Sequence, residues 1–435
     1  MSAPIQPIRG MNDVLPEQIG TWQFLESEAR ELLSAYGYAE MRVPIVEQTD
    51  LFKRAIGEYT DVVEKEMYSF VDAGGDRLTL RPEATAGMVR AAISNGMLRG
   101  ARHKLWCVGP MFRHERPQKG RYRQFHQLDV EAIGFSGPDV DAELIALTAR
   151  LWRRLGITRV KLQINSLGTV ESRRAYRELL TGYFQARESE LDADSRRRLA
   201  GNPLRILDSK NPEMQRLIAE APLLTEHLDA ESREHFETLQ QLLGGMGIEF
   251  SINPRLVRGL DYYSRTVFEW TTDALGSQDA VCSGGRYDGL IAQLGGEPTP
   301  AVGFAMGIER AVALIDQYGL RRPAALADLY VIAQGAAPTA RAFTLAEQVR
   351  DRAPQLRVEM NLGGGNFKAQ FRRADKSGAP WALVIGDDEL SRGIAQLKAL
   401  RPEGSAEQPR VLEIPLARAA EEIAAVLATS RREAE

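Results

Sequence analysis

The chain's 435 residues are enough for two or three ordinary domains, and 44% hydrophobic with 26% charged residues is a globular balance that excludes an extended disordered chain. The formal net charge of -4 gives no global attraction to nucleic acid, so any phosphate contact must come from a local basic patch acting within roughly 8 Å. Cys107 and Cys282 lack C-x-x-C spacing and the five histidines lack ligand spacing, which argues against zinc and against a disulfide framework; with no apolar signal core or bilayer-length apolar run, a cytoplasmic protein with no membrane partner is expected.

Along the chain, a turn-rich stretch Ile8–Pro16 precedes a helix predicted from Glu17 to about Tyr36. Trp22, Leu25, Ala29, Leu32 and Leu33 recur there at helical spacing, and Gly37 follows as a cap. A short strand at Ala39–Val43 stops at Pro44. Extended runs then fall at Met67–Val71, Leu78–Arg81, Leu105–His114 and Arg123–Ile133, with a helix at Thr85–Asn95 between them. Strands separated mainly by turns predict an antiparallel sheet. Glu171–Leu191, Glu213–Ala221 and Glu231–Leu243 are charge-rich and helical, which marks an insertion. Strand character returns at Ile248–Val257 and Arg258–Thr271, and a strand runs into a helix at Ala301–Ile315. Past a boundary near Arg321–Pro323 the pattern alternates: strand Leu329–Ala333, helix Ala342–Arg352, strand Arg357–Met360, helix Asn366–Lys376, strand Trp381–Ile385. This reads as a small α/β domain. Gly363–Gly365, ahead of a helix, reads as a plain turn, though an anion site is the alternative.

The chemistry concentrates in Gly109–Glu131. Five Arg or Lys side chains and one carboxylate, Glu115, fall between Arg113 and Arg123. In the strand that follows, Leu128, Val130 and Ala132 share one face and Gln127, Asp129 and Glu131 the other. A polar strand face beside a basic loop fits a ligand floor; a solvent-exposed sheet face is the plainer alternative.

This segment resembles motif 2 of class II aminoacyl-tRNA synthetases. Gly303–Arg310 resembles motif 3, and Ile45–Phe52, after Pro44, is placed like motif 1, which the family uses at its dimer interface. Arg81–Gly87 is similar to the amino-acid-binding segment of histidyl-tRNA synthetases, with Ala84 where the family usually has Gly. Leu256–Tyr263 and Ser283–Leu290 resemble that family's two histidine signatures. The resemblance covers nearly the whole chain in family order. It implies an α+β fold: an antiparallel-sheet catalytic core (1–325) with a helical insertion at about 170–247, and a C-terminal α/β anticodon-binding domain (326–435). It further implies a homodimer that takes L-histidine, ATP with Mg2+ and tRNA(His), and needs no zinc or organic cofactor.

Residue roles follow from substrate chemistry and from the resemblance together. A buried ammonium needs acceptors, for which Glu83, Thr85 and Gln127 are the candidates. By resemblance, Glu131 and Tyr263 bond the two imidazole nitrogens, with Tyr262 close by. Strict strand alternation would put Arg258 and Tyr262 on the face opposite Tyr263, unless Gly259 hosts a bulge or the pocket wraps round the strand end. Charge spread over phosphoryl oxygens calls for fixed guanidinium groups, and Arg113, Arg258 and Arg310 are the candidates. By resemblance, Arg113 bridges the α-phosphate and the histidine carboxylate, Arg258 acts on the α-phosphate, and Arg310 lies against the ATP phosphates. Arg116, Gln118, Arg121 and Arg123 are the candidates for the tRNA acceptor end. Two alternatives stand beside this reading. One is a non-catalytic paralogue such as the regulatory subunit of ATP phosphoribosyltransferase, which degrades the signatures and lacks the last domain. The other is a synthetase for glycine, threonine or proline, which lacks the paired histidine signatures.

Overall fold

The computed structural model describes residues 4–58, 60–118, 120–207, 209, 211–258, 260–275, 280–321, 327–400 and 410–434. Gly259, Lys119 of the basic loop and the Arg322–Pro323 junction lie outside them. The chain gathers into two compact units, Met1–Arg322 and Pro323–Glu435.

In the first unit, helix Pro16–Ala35 buries Trp22, Leu25, Ala29, Leu32 and Leu33, the face picked out by their spacing. Next come β1 (Ala39–Glu40), β2 (Val46–Gln48), helix Thr49–Ile56, β3 (Tyr68–Val71), β4 (Arg77–Leu80) and helix Thr85–Ser94. β5 (His103–Phe112) and β6 (Gln124–Ile133) flank the basic loop; helix Pro138–Arg154 and β7 (Lys161–Ser166) follow. Helices Val170–Gln185, Ala193–Gly201 and Ala230–Gly245 occupy the charge-rich stretch, with the short helix Gln215–Ala219 and 3-10 turns between them. Thr169, Asp192 and Asp229 cap these three, each accepting a backbone N–H in the first turn. The unit ends with β8 (Ser251–Ile252), β9 (Ser264–Thr271), β10 (Ala280–Arg286) and β11 (Ala301–Gly307), the last running into helix Ile308–Gln317.

Eight of these strands form one sheet, ordered β1-β5-β6-β11-β10-β9-β7-β8. The central strands pair antiparallel, as expected. The two-residue edge strands β1 and β8 instead pair parallel with β5 and β7, so the sheet is mixed. β2, β4 and β3 make a separate antiparallel sheet. On one face of the large sheet, Leu128, Val130 and Ala132 join Val302, Met306 and the helical residues Leu25, Leu147 and Leu151 in the main core. Alternation therefore turns Gln127, Asp129 and Glu131 to the opposite face.

One expected strand is mostly absent and the next is shortened at its start. Of Ile248–Val257 only Ser251–Ile252 is strand. Asn253-Pro254 breaks it, with Asn253 Oδ1 accepting the Arg255 N–H at 3.0 Å. β9 begins only at Ser264, so Arg258 and Leu260–Tyr263 precede the strand. The Asp261 N–H donates to the Ile56 carbonyl at 3.2 Å, tying this segment to the helix Thr49–Ile56. Strict alternation does not apply to a turn, so Arg258, Tyr262 and Tyr263 need no bulge to reach one cavity.

In the second unit, β12 (Leu329–Ala333), helix Ala336–Arg352, β13 (Val358–Met360), helix Phe367–Ser377 and β14 (Trp381–Ile385) follow the predicted alternation. β15 (Ile394–Ala399), β16 (Val411–Pro415) and helix Ala419–Ala434 complete it. The order β13-β12-β14-β15-β16 is parallel over its first three strands and antiparallel over the rest. Gly363, Gly364 and Gly365 all have positive φ, and the Asn366 side chain caps the helix after them by accepting the Ala369 N–H at 2.9 Å. The glycine run is thus left-handed, irregular backbone leading into a capped helix. Among the described residues no helix is long and apolar enough to cross a membrane.

Candidate active site

A cavity of about 780 Å3 lies over the polar face of the sheet. Glu83, Thr85, Arg113, Gln127, Glu131, Arg258, Tyr262, Tyr263 and Arg310 all line it. The folding of the local sequence explains each placement. Glu83 and Thr85 lie at the start of helix Thr85–Ser94, where Glu83 Oε1 accepts the Ala86 N–H at 2.9 Å. Gln127 and Glu131 rise from β6. Arg113 stands just past β5, its Nε donating to the Pro82 carbonyl at 2.8 Å and its guanidinium 5.3 Å from the Phe125 ring. Arg310 is in the first turn of helix Ile308–Gln317. Its neighbour Glu309 accepts the His126 backbone N–H at 2.9 Å and lies 3.0 Å from His126 Nδ1, which pins this helix to β6.

At the closed end of the cavity, Glu131 is fully buried between two hydroxyl donors. Thr85 Oγ1 donates to Oε1 at 2.6 Å, and the Tyr287 hydroxyl donates to Oε2. Burial pushes the Glu131 carboxyl up to about 8, with these two hydrogen bonds opposing the shift and the nearby Glu83 carboxylate adding to it. Glu131 fits only because residue 303 on the paired strand β11 is glycine. A Cβ there would fall 1.6 Å from Glu131 Oε2. Tyr262 and Tyr263 are both buried, with ring centroids 4.7 Å apart, and Tyr262 lies 5.5 Å from Tyr287. Burial raises the Tyr263 hydroxyl to about 12, so it is a neutral donor and acceptor at ordinary pH.

Thr85 therefore sits between two groups. Its proton goes to Glu131, while its oxygen lone pairs can still accept from a cation near Glu83. Tyr287, within the Ser283–Leu290 signature, is a site residue to which the sequence alone assigns no role. Glu269 is a second, unsignalled one. Its Oε2 lies 2.5 Å from Arg258 Nη1 and accepts from Ser283 Oγ at 3.0 Å, so Arg258 is held by a carboxylate that also lines the cavity. The glutamate's position on alternating strand β9 could have raised it, but only once β9 and β10 were known to pair. Arg286 of the same signature turns away from the cavity. It is buried behind the sheet with Nη2 3.0 Å from Asp141 Oδ1, and Asp141 also contacts His235 Nε2 at 2.6 Å.

The four loop candidates separate. Arg116 and Gln118 are exposed. Gln118 and Arg121 exchange backbone hydrogen bonds at 3.0 and 2.9 Å, closing the loop tip. Arg121 lines the cavity and pairs with Glu115 at 2.9 Å, while Arg123 is half-buried and donates its backbone N–H to the Gly10 carbonyl at 2.7 Å. Residues of the helical stretch also line the cavity. Arg198 and Arg205 lie 3.7 and 3.3 Å from Asp61 Oδ2, and Asn202 Nδ2 donates to Asp261 Oδ1 at 2.8 Å.

The mixed sheet with its helices and the C-terminal α/β unit make this a class II aminoacyl-tRNA synthetase architecture. A family model described as histidyl-tRNA synthetase matches residues 10–311, and one described as anticodon binding domain matches 328–425. The histidine–tRNA ligase of Alkalilimnicola ehrlichii is 55% identical over 433 residues, spanning 99% of this chain and 100% of that protein. The apo histidyl-tRNA synthetase of S. aureus superposes with a TM-score of 0.80 at 34% identity, covering 96% of this chain and 99% of that one. The chain belongs to the histidyl-tRNA synthetase family. A Bacillus halodurans protein described as an ATP phosphoribosyltransferase regulatory subunit/histidyl-tRNA synthetase matches with a TM-score of 0.63 at 23% identity, over 89% of this chain and 99% of that one; this is a likeness of fold.

Proposed function

We infer that the protein is a histidine–tRNA ligase. It joins L-histidine to AMP with release of pyrophosphate, then transfers the histidyl group to the 3′ end of tRNA(His). The observation that carries this is the convergence, in one cavity, of three guanidinium groups from distant segments with a buried carboxylate held by two hydroxyls. In the first step a histidine carboxylate oxygen attacks the α-phosphorus of ATP while the bond to pyrophosphate breaks. We assign Arg113 to the substrate carboxylate and α-phosphate, Arg258 to the α-phosphate and Arg310 to the outer phosphates. Planar guanidinium groups fixed before reaction stabilise the spreading charge without reorganising. Magnesium enters with ATP as part of that substrate. Glu131 and Tyr263 take the imidazole, with Tyr262 packed beside them; Glu83, Thr85 and Gln127 take the ammonium.

Placement in the chain supports the remaining roles. Residues 1–325 are the catalytic core, with an insertion at about 170–247 that we assign to the acceptor stem. Residues 326–435 bind the anticodon. Arg116 and Gln118, exposed at the loop tip, are the better placed of the four acceptor-end candidates. The solvent-facing apolar side chains Ile45, Val46, Phe70 and Val71 on and beside the three-stranded sheet support a homodimer interface there. A cytoplasmic location fits a role in translation. ATP–pyrophosphate exchange that depends on histidine, with no response to glycine, threonine or proline, tests the activity. Absence of exchange in folded protein would favour the non-catalytic alternative.

A further inference from the structure

None of the roles given above involves Asp129, yet it lies in the middle of the cavity floor. It is on β6 between Gln127 and Glu131, beside Cys107 of β5 and Ala305 of β11. It is 0% exposed and lines the cavity, and neither carboxylate oxygen has a hydrogen-bond partner. Nearby, the buried Glu83 Oε2 and Gln127 Oε1 also lack partners. A buried acceptor left without a donor is costly, more so when charged, so four such oxygens in one cavity describe what completes it. The complement must be rich in donors, compact and positive. An imidazole has too few donors, and a phosphate or carboxylate has the wrong sign. A primary ammonium, with three N–H groups and one charge, matches.

We propose that Asp129 is a third acceptor for the α-ammonium of the amino-acid substrate, acting with Glu83 and Gln127 to select the protonated amine and set its orientation over the sheet. This rests on the ligase reading of the cavity. Asp129 is well positioned for such a contact, since one strand step of two residues toward Glu131 leads to the imidazole subsite and one step the other way leads to Gln127. Burial raises the Asp129 carboxyl well above its ordinary value, and the Glu131 and Glu83 carboxylates push it further up against the Arg81 and Arg113 guanidinium groups, so an ammonium bound among these acidic groups favours the charged form of Asp129.

Isothermal titration calorimetry of the full chain with three probes tests this. L-Histidine carries ammonium, carboxylate and imidazole; L-histidinol lacks the carboxylate; 3-(imidazol-4-yl)propionate lacks the ammonium. Asp129→Asn keeps the shape and removes the charge. It is expected to weaken L-histidine and L-histidinol about ten- to hundredfold, the range for a charge-assisted hydrogen bond, and to change the propionate by less than about threefold. Asp129→Ser, smaller and uncharged, is expected to give the same pattern. An equal loss for all three probes in both variants, or no loss for the two amines, overturns the role of Asp129. Failure of L-histidine to bind the unsubstituted protein would instead overturn the ligase reading.

Discussion

Replacing Arg258 by alanine separates chemistry from binding. Arg258 is assigned to the α-phosphate, where charge grows only as the carboxylate attacks. A unit charge about 4 Å from its partner contributes about 4 kcal/mol at an effective dielectric constant of about 20. At about 1.4 kcal/mol per factor of ten, the adenylation rate should fall about a thousandfold. Histidine affinity, set mainly by Glu83, Gln127, Glu131 and Tyr263, should stay within about threefold. The substitution has a second effect. Arg258 Nη1 lies 2.5 Å from Glu269 Oε2, with the two side chains only 21% and 15% exposed. Removing the cation leaves Glu269 with Ser283 as its remaining side-chain donor, at a cost of about 1–3 kcal/mol in stability. The double variant Arg258→Ala/Glu269→Gln removes both charges, so it should recover stability and recover no rate. The assay is histidine-dependent pyrophosphate exchange, with denaturant unfolding alongside. Exchange within tenfold of the wild type, or a rate restored by Glu269→Gln, would refute the assignment.

Other outcomes follow from the same geometry. Gly303→Ala places a methyl where Glu131 Oε2 sits, and overpacking of a core costs about 1–3 kcal/mol; histidine binding is expected to fall at least tenfold by calorimetry, more steeply than overall stability. Arg286→Met leaves Asp141 buried without its guanidinium partner, and the melting curve should report a loss of about 3–5 kcal/mol, while exchange per folded molecule stays near normal. Glu131 gives a pH signature. Its carboxyl titrates near 8 when folded against 4.5 as its ordinary value, so between those values the folded state holds a proton that the unfolded state has lost. That contribution lowers stability as pH rises from about 4.5 to about 8 and is constant above. Glu131→Gln should flatten this part of the Tm–pH curve, and a slope equal to the wild type's would place the titration elsewhere.

What the sequence made legible was governed by local rules. Period-two alternation placed Gln127, Asp129 and Glu131 on one face, and helical spacing named the buried face of Pro16–Ala35. The arginines were legible as residue types in recognisable segments, and the cavity brings them together. What escaped depends on contacts between distant segments. Glu269 is informative only when β9 lies beside β10, and Tyr287 only when its hydroxyl reaches Glu131 across the sheet. The segment before β9 looked extended because Tyr and Val favour strands, but the tie of Asp261 to the helix Thr49–Ile56 overrides that preference. β15 and β16 were passed over because they lie beyond the clear strand–helix alternation and pair antiparallel, unlike the three strands before them.

The niche that Gly303 leaves for Glu131 has a consequence for anyone reshaping this protein toward other side chains. The two positions share one volume, so they must be altered as a unit. Shortening residue 131 is not enough to admit a side chain at 303, because a Cβ there would also fall 2.5 Å from the Val130 carbonyl oxygen, so the backbone of β6 has to shift with them.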